Sequence, residues 1–315
     1  ECRRLDDSYS ALIKTLASIL NATDAPPIDL HMDQALAKLK GPHFFRVQNV
    51  LRDLIPLLRV DQDVLLAFIT RLLDAGGNDL AAGTPGIAFG EWTKKNSTRS
   101  SKVYEAARSG DRLALRQLFT VLVMNADIEV GLVFAQSHEK EAKLAALSAL
   151  GAMELGERYG EVLDILLQEA SSKDEDIALR SLEAGYHAAA LRKTVAPAGF
   201  DEQLERILQT RNPFSIHLAV NLLWRHQISL TENAMKLCLD AAVDVAPDSV
   251  GTISHLDYAA HQLVDAGHTE KVICLLSKLF DRSKGQITLD AFQCTYHALQ
   301  KAGPEVGHAY PPMRG

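Results

Sequence analysis

The chain has 315 residues, 47% of them hydrophobic and 23% charged, and its 33 Lys and Arg residues stand against 40 Asp and Glu, a net charge of −7. This composition excludes global disorder, because enough apolar residues are present to bury a sizeable core. No stretch approaches the roughly 18 consecutive apolar residues that a membrane span requires, so we expect no membrane partner.

The chain opens with Glu1-Cys2-Arg3-Arg4, with neither an initiator Met nor a charged leader followed by an apolar run. We expect from this a segment of a larger protein, without a signal peptide. The four cysteines are scattered and form no CxxC pair, which excludes a cysteine-rich zinc module and argues against a disulfide framework. A reducing compartment, the cytoplasm, is therefore predicted.

Residues 1–75 are predicted to form an N-terminal helical segment, because their apolar residues recur at the spacing of a helix face. The predicted helices cover residues 4–21, 32–40, 44–58 and 61–73. Asp61 or Asp63 is the expected N-cap of the last of these helices, and Gly76 and Gly77 are its expected end.

Residues 76–101 differ from the rest of the chain, with five glycines, one proline and a polar run of Ser, Thr, Asn and Lys. Loops of this length are uncommon inside compact domains and are usually functional or act as linkers. We therefore predict an irregular Gly-rich and basic connector here, and we take it as the main boundary of the chain. It separates the N-terminal segment from helical repeats over residues 102–302, after which residues 303–315 are expected to form a flexible tail.

From residue 102 onward the predicted helices come in pairs, and the alternation typical of strands is absent. Prominent leucines of the first helices are spaced by 35, 40 and 41 residues, at Leu147, Leu182, Leu222 and Leu263. Apolar residues of the second helices are spaced by 41, 31 and 37 residues, at Leu163, Leu204, Met235 and Val272. A period of about 35–41 residues with two helices per unit predicts an all-α fold, an α-solenoid of stacked helical hairpins.

Two segments, EKEAKLAALSALG at residues 139–151 and DEDIALRSLEAG at residues 174–185, resemble the first helices of HEAT repeats. The resemblance covers roughly residues 102–302 and rests on the family pattern of an acidic turn followed by an Arg- and Ala-rich helix with a Leu-x-x-Leu-type stripe, often ending in Gly. It implies a curved scaffold that holds protein or nucleic acid on a concave face, and it implies no catalytic residue.

A basic stretch with two aromatic residues follows the glycines and offers a candidate binding site. The candidate binding residues are Trp92, Lys94, Lys95, Arg99, Lys102, Arg108, Arg112 and Arg116. Lysine and arginine attract phosphates by counterion release, and Trp92 or Tyr104 offers a ring for base stacking. Nucleic-acid contact, docking onto an acidic protein and a merely solvated loop all remain open. Residues 126–315 carry 17 basic against 26 acidic side chains, so nucleic acid is expected only in the first half.

Motifs for catalysis, cofactors and metals are missing from the sequence. There is no GxxxxGK[ST], GxGxxG, HExxH or GxSxG, so we predict no cofactor, no metal and no catalytic residue. His261 and Asp265 are four residues apart and are expected to pair on a helix surface. Cys238, Cys274 and Cys294 lie in apolar stripes and are expected to be buried structural thiols.

These patterns favour a non-catalytic helical-repeat scaffold that binds a protein partner. The first alternative is a HEAT-like domain that binds nucleic acid through residues 92–116. The second is an enzyme on a helical-repeat frame, similar to the HEAT-like DNA glycosylases, so an enzymatic role stays open although the sequence leans against it. Trp224, Arg225 and His226 belong to residue types common in interfaces, but Trp224 is equally compatible with the core.

Overall fold

The computed structural model describes residues 2–22, 49–76 and 84–302, and every regular element within these ranges is a helix. The all-α prediction is therefore confirmed for the described chain. The helix expected over residues 32–40, the first part of that over 44–58, and the tail over 303–315 lie outside the described residues. Residues 49–54 are helical and continue into a 3-10 turn, Ile55–Leu57.

The first long helices are α1 (Cys2–Ala22), α2 (Gln62–Gly76), α3 (Thr84–Lys94), α4 (Ser97–Arg108), α5 (Arg112–Asn125), α6 (Ile128–Ala135) and α7 (Lys140–Ala152). They are followed by α8 (Tyr159–Ala170), α9 (Glu175–Leu191), α10 (Ala198–Leu208), α11 (Pro213–Arg225), α12 (Glu232–Ala242), α13 (Val250–Asp265), α14 (Thr269–Arg282) and α15 (Gln293–Lys301). Within the described ranges, no helix is both long enough and apolar enough to cross a membrane.

The chain divides into two compact units, Glu1–Ala149 and Leu150–Gly315. This division falls within α7 and not at residues 76–101. The prediction that those residues form an irregular connector is wrong from Thr84 onward, because α3 and α4 occupy residues 84–94 and 97–108.

Tertiary packing explains why the glycines of α3 are compatible with a helix. A Cβ atom at Gly90 would lie 2.6 Å from Cγ of Met124 and 3.0 Å from Cγ2 of Thr120, both on α5. The glycine therefore lets α3 approach α5 closely. The gain from burying this face outweighs the roughly 1 kcal/mol that a glycine costs within a helix.

Trp92 is buried in the core of the first unit. Its side chain is only 2% exposed, its ring stacks on Phe89 with centroids 5.7 Å apart, and its Nε1 donates to the carbonyl oxygen of Leu58 at 2.9 Å. A second apolar cluster joins α1 to residues 49–58 through Ile13, Ala17, Leu54 and Leu58. The contact of Trp92 with Leu58 places the C-terminal half of α3 against the segment that packs on α1.

In the second unit the helices form two series. Successive members of α9, α11, α13 and α15 contact one another, as do successive members of α8, α10, α12 and α14. Contacts between α8 and α9, α10 and α11, α11 and α12, and α13 and α14 join the two series. The side chains on α9, α11 and α13 are therefore brought side by side although they are far apart in the sequence.

Close helix crossings depend on two glycines, Gly151 and Gly185, that lie at helix contacts of this unit. A Cβ atom at Gly151 would lie 2.6 Å from the backbone of Ala184, and one at Gly185 would lie 2.1 Å from Cε1 of Phe200. Both positions are too tight for any side chain without movement of a neighbour.

Buried carboxylates also join successive helices of this unit. Asp201 accepts hydrogen bonds from the hydroxyl groups of Tyr186, at 2.9 Å, and Thr231. Asp257 accepts from the backbone N–H of Thr295 at 2.8 Å and from its hydroxyl at 2.7 Å. Each buried charge thus has several donors, as buried carboxylates require.

Candidate functional site

Trp92 and Arg99, two members of the predicted basic site, serve the fold of the first unit. Trp92 is buried, so its ring is not accessible for stacking on a base. The Arg99 guanidinium lies 3.9 Å from the centroid of that ring and donates to the Trp92 carbonyl oxygen at 2.9 Å. Arg99 therefore covers the buried Trp92 ring. Neither Trp92 nor Arg99 belongs to the candidate binding surface.

Two further residues of the predicted basic site make contacts within the first unit. Lys95 Nζ donates to the carbonyl oxygen of Pro56 at 2.8 Å, and Arg116 pairs with Asp74 at 2.9 Å. The remaining members, Lys94, Lys102, Arg108 and Arg112, have exposed side chains. Four of the eight predicted residues therefore make contacts that hold the first unit together, and among the other four Arg108 lies over the ring of Phe134, 5.4 Å from its centroid.

A different set of side chains comes together in the second unit, on three neighbouring helices. We name this set the Trp224 surface, and it consists of His187, His217, Trp224, Arg225, His226, His255 and Tyr258. His187 belongs to α9, the next four residues belong to α11 and its C-cap, and the last two belong to α13.

Local sequence explains how α11 presents its part of this surface. The helix begins at Pro213, with the Asn212 side chain as N-cap accepting from the backbone N–H of Ser215 at 2.8 Å. A proline in the first turn is compatible with a helix, because its missing N–H has no intrahelical partner there. From this start, His217 and Trp224 are seven residues apart and lie on the same face of α11.

The centre of the surface is an aromatic stack. The Trp224 ring lies 4.3 Å from the His255 ring and 5.8 Å from the Tyr258 ring, and the latter pair is within 23° of parallel. The Arg225 guanidinium lies 4.5 Å from the centroid of the Trp224 ring. Tyr258 is 44% exposed and Arg225 is also exposed, so the stack is open to a ligand.

His217 links α11 to α13 by a hydrogen-bonded chain. Nδ2 of Asn221 lies 3.1 Å from Nε2 of His217, and Nδ1 of His217 lies 3.0 Å from the hydroxyl of Thr252. Both ring nitrogens of His217 therefore have a polar neighbour, and these two contacts hold the plane of the ring.

The buried end of the surface is a pair of stacked histidines. The rings of His187 and His226 have centroids 4.8 Å apart, and His226 is 4% exposed. Burial, His187 and Arg225 lower the pKa of His226 to about 4. Burial also lowers the pKa values of His187 and His255, with Arg225 adding to both shifts. These three imidazoles are therefore neutral near pH 7.

Three buried polar atoms of this region have no hydrogen-bond partner among the described residues, namely Nδ1 of His226, Nδ1 of His255 and Oδ1 of Asn221. Unpaired polar atoms are costly inside a protein. In the described ranges, no group of three or more His, Cys, Asp and Glu side chains is arranged to hold a metal ion.

A groove of about 580 Å³ lies between α12 and α14 of the same unit. Its floor includes Leu239 and Leu275, and its rim carries an ion pair between Lys271 and Glu232, with Nζ and Oε2 at 2.8 Å. Because a positive and a negative side chain are paired at the rim, the groove does not favour a partner of either charge.

The sequence contained a signal for the Trp224 surface that motif searches do not use. His187 and His226 are 39 residues apart, and His217 and His255 are 38 apart. Both separations fall within the predicted repeat period, so aligning the repeats against one another would have placed these rings together. His187, His217 and Tyr258 were not among the sequence candidates.

Two smaller predictions have clear outcomes. His261 and Asp265 do pair, with Nε2 and Oδ2 at 3.2 Å. The prediction of three buried thiols is right for Cys238 and wrong for Cys274, which is exposed, while Cys294 is partly exposed. Cys274 lies between Val272 and Leu275, two residues of the buried face of α14. Its own position on the helix turns the side chain away from the core.

No family model and no curated protein matches this chain.

Proposed function

We propose that this chain is a non-catalytic helical-repeat scaffold of the HEAT-like α-solenoid type, and that its second unit binds a protein partner through the Trp224 surface. A cytoplasmic location remains part of the proposal. The observation that carries it is the open stack of Arg225, Trp224 and Tyr258 on adjacent helices.

Recurrent hydrogen bonds support the repeat part of the proposal. In a solenoid, equivalent positions of successive hairpins come into contact, so side-chain contacts recur at about one repeat length. In the second unit, such separations are 35, 36, 37, 38 and 39 residues, for Tyr159 with Thr194, Arg206 with Ala170, Asn212 with Glu175, Thr295 with Asp257, and Lys271 with Glu232. These values lie in the period of 35–41 predicted from the sequence.

The residue types of the surface support the interaction part. Trp, Tyr and Arg dominate the binding energy of protein interfaces, because each combines a large contact area with a polar group. None of the seven side chains is a carboxylate, which a glycosylase-like site would need. We therefore do not propose an enzyme.

The experiment is site-directed photo-crosslinking in cells. A photoreactive phenylalanine at Tyr258 should capture a protein that the same group at Val133, an exposed residue of the first unit, does not capture. The captured protein, once purified, should bind the wild-type chain directly and lose about 30-fold or more in affinity with Trp224→Ala. If the purified protein binds both chains equally, the Trp224 surface is not the interface.

Nucleic-acid binding by the first unit is a second candidate, favoured by the exposure of Lys94, Lys102, Arg108 and Arg112. It predicts an affinity for duplex that falls steeply with salt. Replacing Lys102 and Arg112 by Gln should reduce that affinity. Absence of binding at low salt would exclude this candidate.

A further inference from the structure

We propose that the partner of the Trp224 surface is an acidic protein segment, with a carboxylate bound by Arg225 and a neighbouring apolar side chain packed beside Trp224. This inference rests on the proposed function and adds the chemical class of the partner.

Arg225 is held in a geometry that leaves its donors available. Its Cζ atom lies 4.5 Å from the centroid of the Trp224 ring, and a guanidinium beside an aromatic ring can still bind a carboxylate with two parallel hydrogen bonds. Stacking also orders the side chain before binding, which reduces the entropy lost on association.

The other arginines among the described residues of this unit all have a partner within it. Arg158, Arg180, Arg211 and Arg282 pair with a carboxylate, whereas Arg192 and Arg206 donate to the carbonyl oxygens of Gly156 and Ala170. Among the described residues, no carboxylate forms an ion pair with Arg225. An arginine that is ordered by stacking and has no intramolecular anion is suited to bind an anion from a partner.

The nearby acidic residues do not neutralise this site. Glu183, which lies near His187, pairs with Arg180 at 3.4 Å. Asp257, the neighbour of Tyr258 in the chain, is 8% exposed and accepts hydrogen bonds from Thr295. Neither carboxylate therefore pairs with Arg225, which is the one Lys or Arg side chain of the Trp224 surface.

A shallow pocket of about 510 Å³ adjoins Arg225 and provides the apolar part of the site. Trp224, Ile228 and Met235 line it together with Gln227 and Gln262. Ile228 is 57% exposed, so covering it would remove apolar surface from water. A leucine or phenylalanine next to the bound carboxylate matches this arrangement.

A protein segment fits these features better than a nucleic acid. Arg225 is the single formal cation among the seven side chains of the surface, so only one phosphate would be neutralised there. Nucleic-acid affinity depends on neutralising several phosphates at once. The aromatic stack alone would leave the rest of a polyanion facing an acidic unit.

The test uses the full chain and fluorescein-labelled peptide pools of equal length. In the acidic pool, Leu or Phe alternates with Asp or Glu; in the neutral pool, the acids are replaced by Asn or Gln; a short single-stranded oligonucleotide is the third probe. Binding is measured by fluorescence anisotropy with the wild type, Arg225→Gln, Arg225→Lys and Trp224→Ala. Arg180→Gln is the matched control, since Arg180 is also exposed but already paired.

The acidic pool should bind more tightly than the neutral pool by about tenfold or more, and Arg225→Gln should remove most of that difference while Arg180→Gln retains it. Arg225→Lys should bind less tightly than the wild type, because Lys lacks the paired donors. Circular dichroism checks that each variant is folded.

Equal binding of both pools, dependent on Trp224, would overturn the proposal of an acidic partner but would not contradict the proposed scaffold function. Binding of the oligonucleotide alone, or of no probe, would overturn this inference, and the first of these outcomes would also count against the proposed function.

Discussion

His187 and His226 lie with their rings stacked at 4.8 Å and within 29° of parallel, although 39 residues separate them in the chain. Two imidazoles at this distance cannot both be charged without strong repulsion, and Arg225 lies close enough to lower the pKa of each. The pair is thus stable in its neutral form. It provides the buried side of the surface that we propose for partner binding.

This arrangement predicts a loss of stability in weak acid. The pKa of His226 is about 4 in the folded chain and about 6.5 in an unfolded one. The unfolded state therefore binds a proton that the folded state excludes, and the free energy of unfolding falls as the pH drops from about 6.5 towards 4. At pH 5 the loss from this residue is about 2 kcal/mol.

Urea denaturation at pH 7 and pH 5 measures this loss. His226→Gln, which cannot titrate, should reduce the difference between the two pH values, whereas His138→Gln, at an exposed position of the first unit, should leave it unchanged. An unchanged difference in His226→Gln would show that other groups cause the acid sensitivity.

Gly185→Ala should destabilise the second unit by about 2–4 kcal/mol, because the new Cβ would lie 2.1 Å from the Phe200 ring and force a shift in a dense core. Gly151→Ala should act in the same direction against the backbone of Ala184. Gly251→Ala is the matched control, since a Cβ there has nothing within 4 Å, and it should stabilise α13 by about 0.5–1 kcal/mol. Thermal denaturation distinguishes these outcomes, and equal melting temperatures would contradict the close crossings.

Asp201→Ala should cost about 2–4 kcal/mol, because it leaves the buried hydroxyl groups of Tyr186 and Thr231 without their acceptor. Tyr186→Phe alone should cost about 1–2 kcal/mol. A double-mutant cycle in urea should then give a coupling energy for the pair, since both changes remove the same hydrogen bond. Simple additivity of the two losses would argue against that bond.

Trp92→Ala should destabilise the first unit by about 3–5 kcal/mol, the usual cost of emptying a buried tryptophan site. Trp224→Ala should cost less, about 1 kcal/mol, because this ring is half-exposed on the surface of the second unit. Iodide quenching of the single-tryptophan variants Trp92→Phe and Trp224→Phe provides an independent measurement. Emission from Trp224 should be quenched more strongly than emission from Trp92, and the reverse order would contradict the assignment of these rings.

Helix positions were predictable where local rules determine them. Asp174 caps α9 by accepting from the backbone N–H groups of Asp176 and Ile177, and Asp111 caps α5 after the left-handed Gly110. Acidic residues at helix starts and glycine at a break are recognisable from the sequence alone. Residues 84–101 were missed because their glycines argue against a helix locally, while their burial against α5 favours one.

The sequence by itself determined that the described chain is helical and that its apolar residues recur at a period of 35–41 residues. Both properties follow from the spacing of apolar residues along the chain. Only the tertiary structure decided that Trp92 is buried while Trp224 lies at an open surface with Arg225. The physical reason is that solvent exposure depends on which distant helices cover a side chain. A hydrophobic pattern identifies the face of a helix that is covered, but it does not identify the helix that covers it.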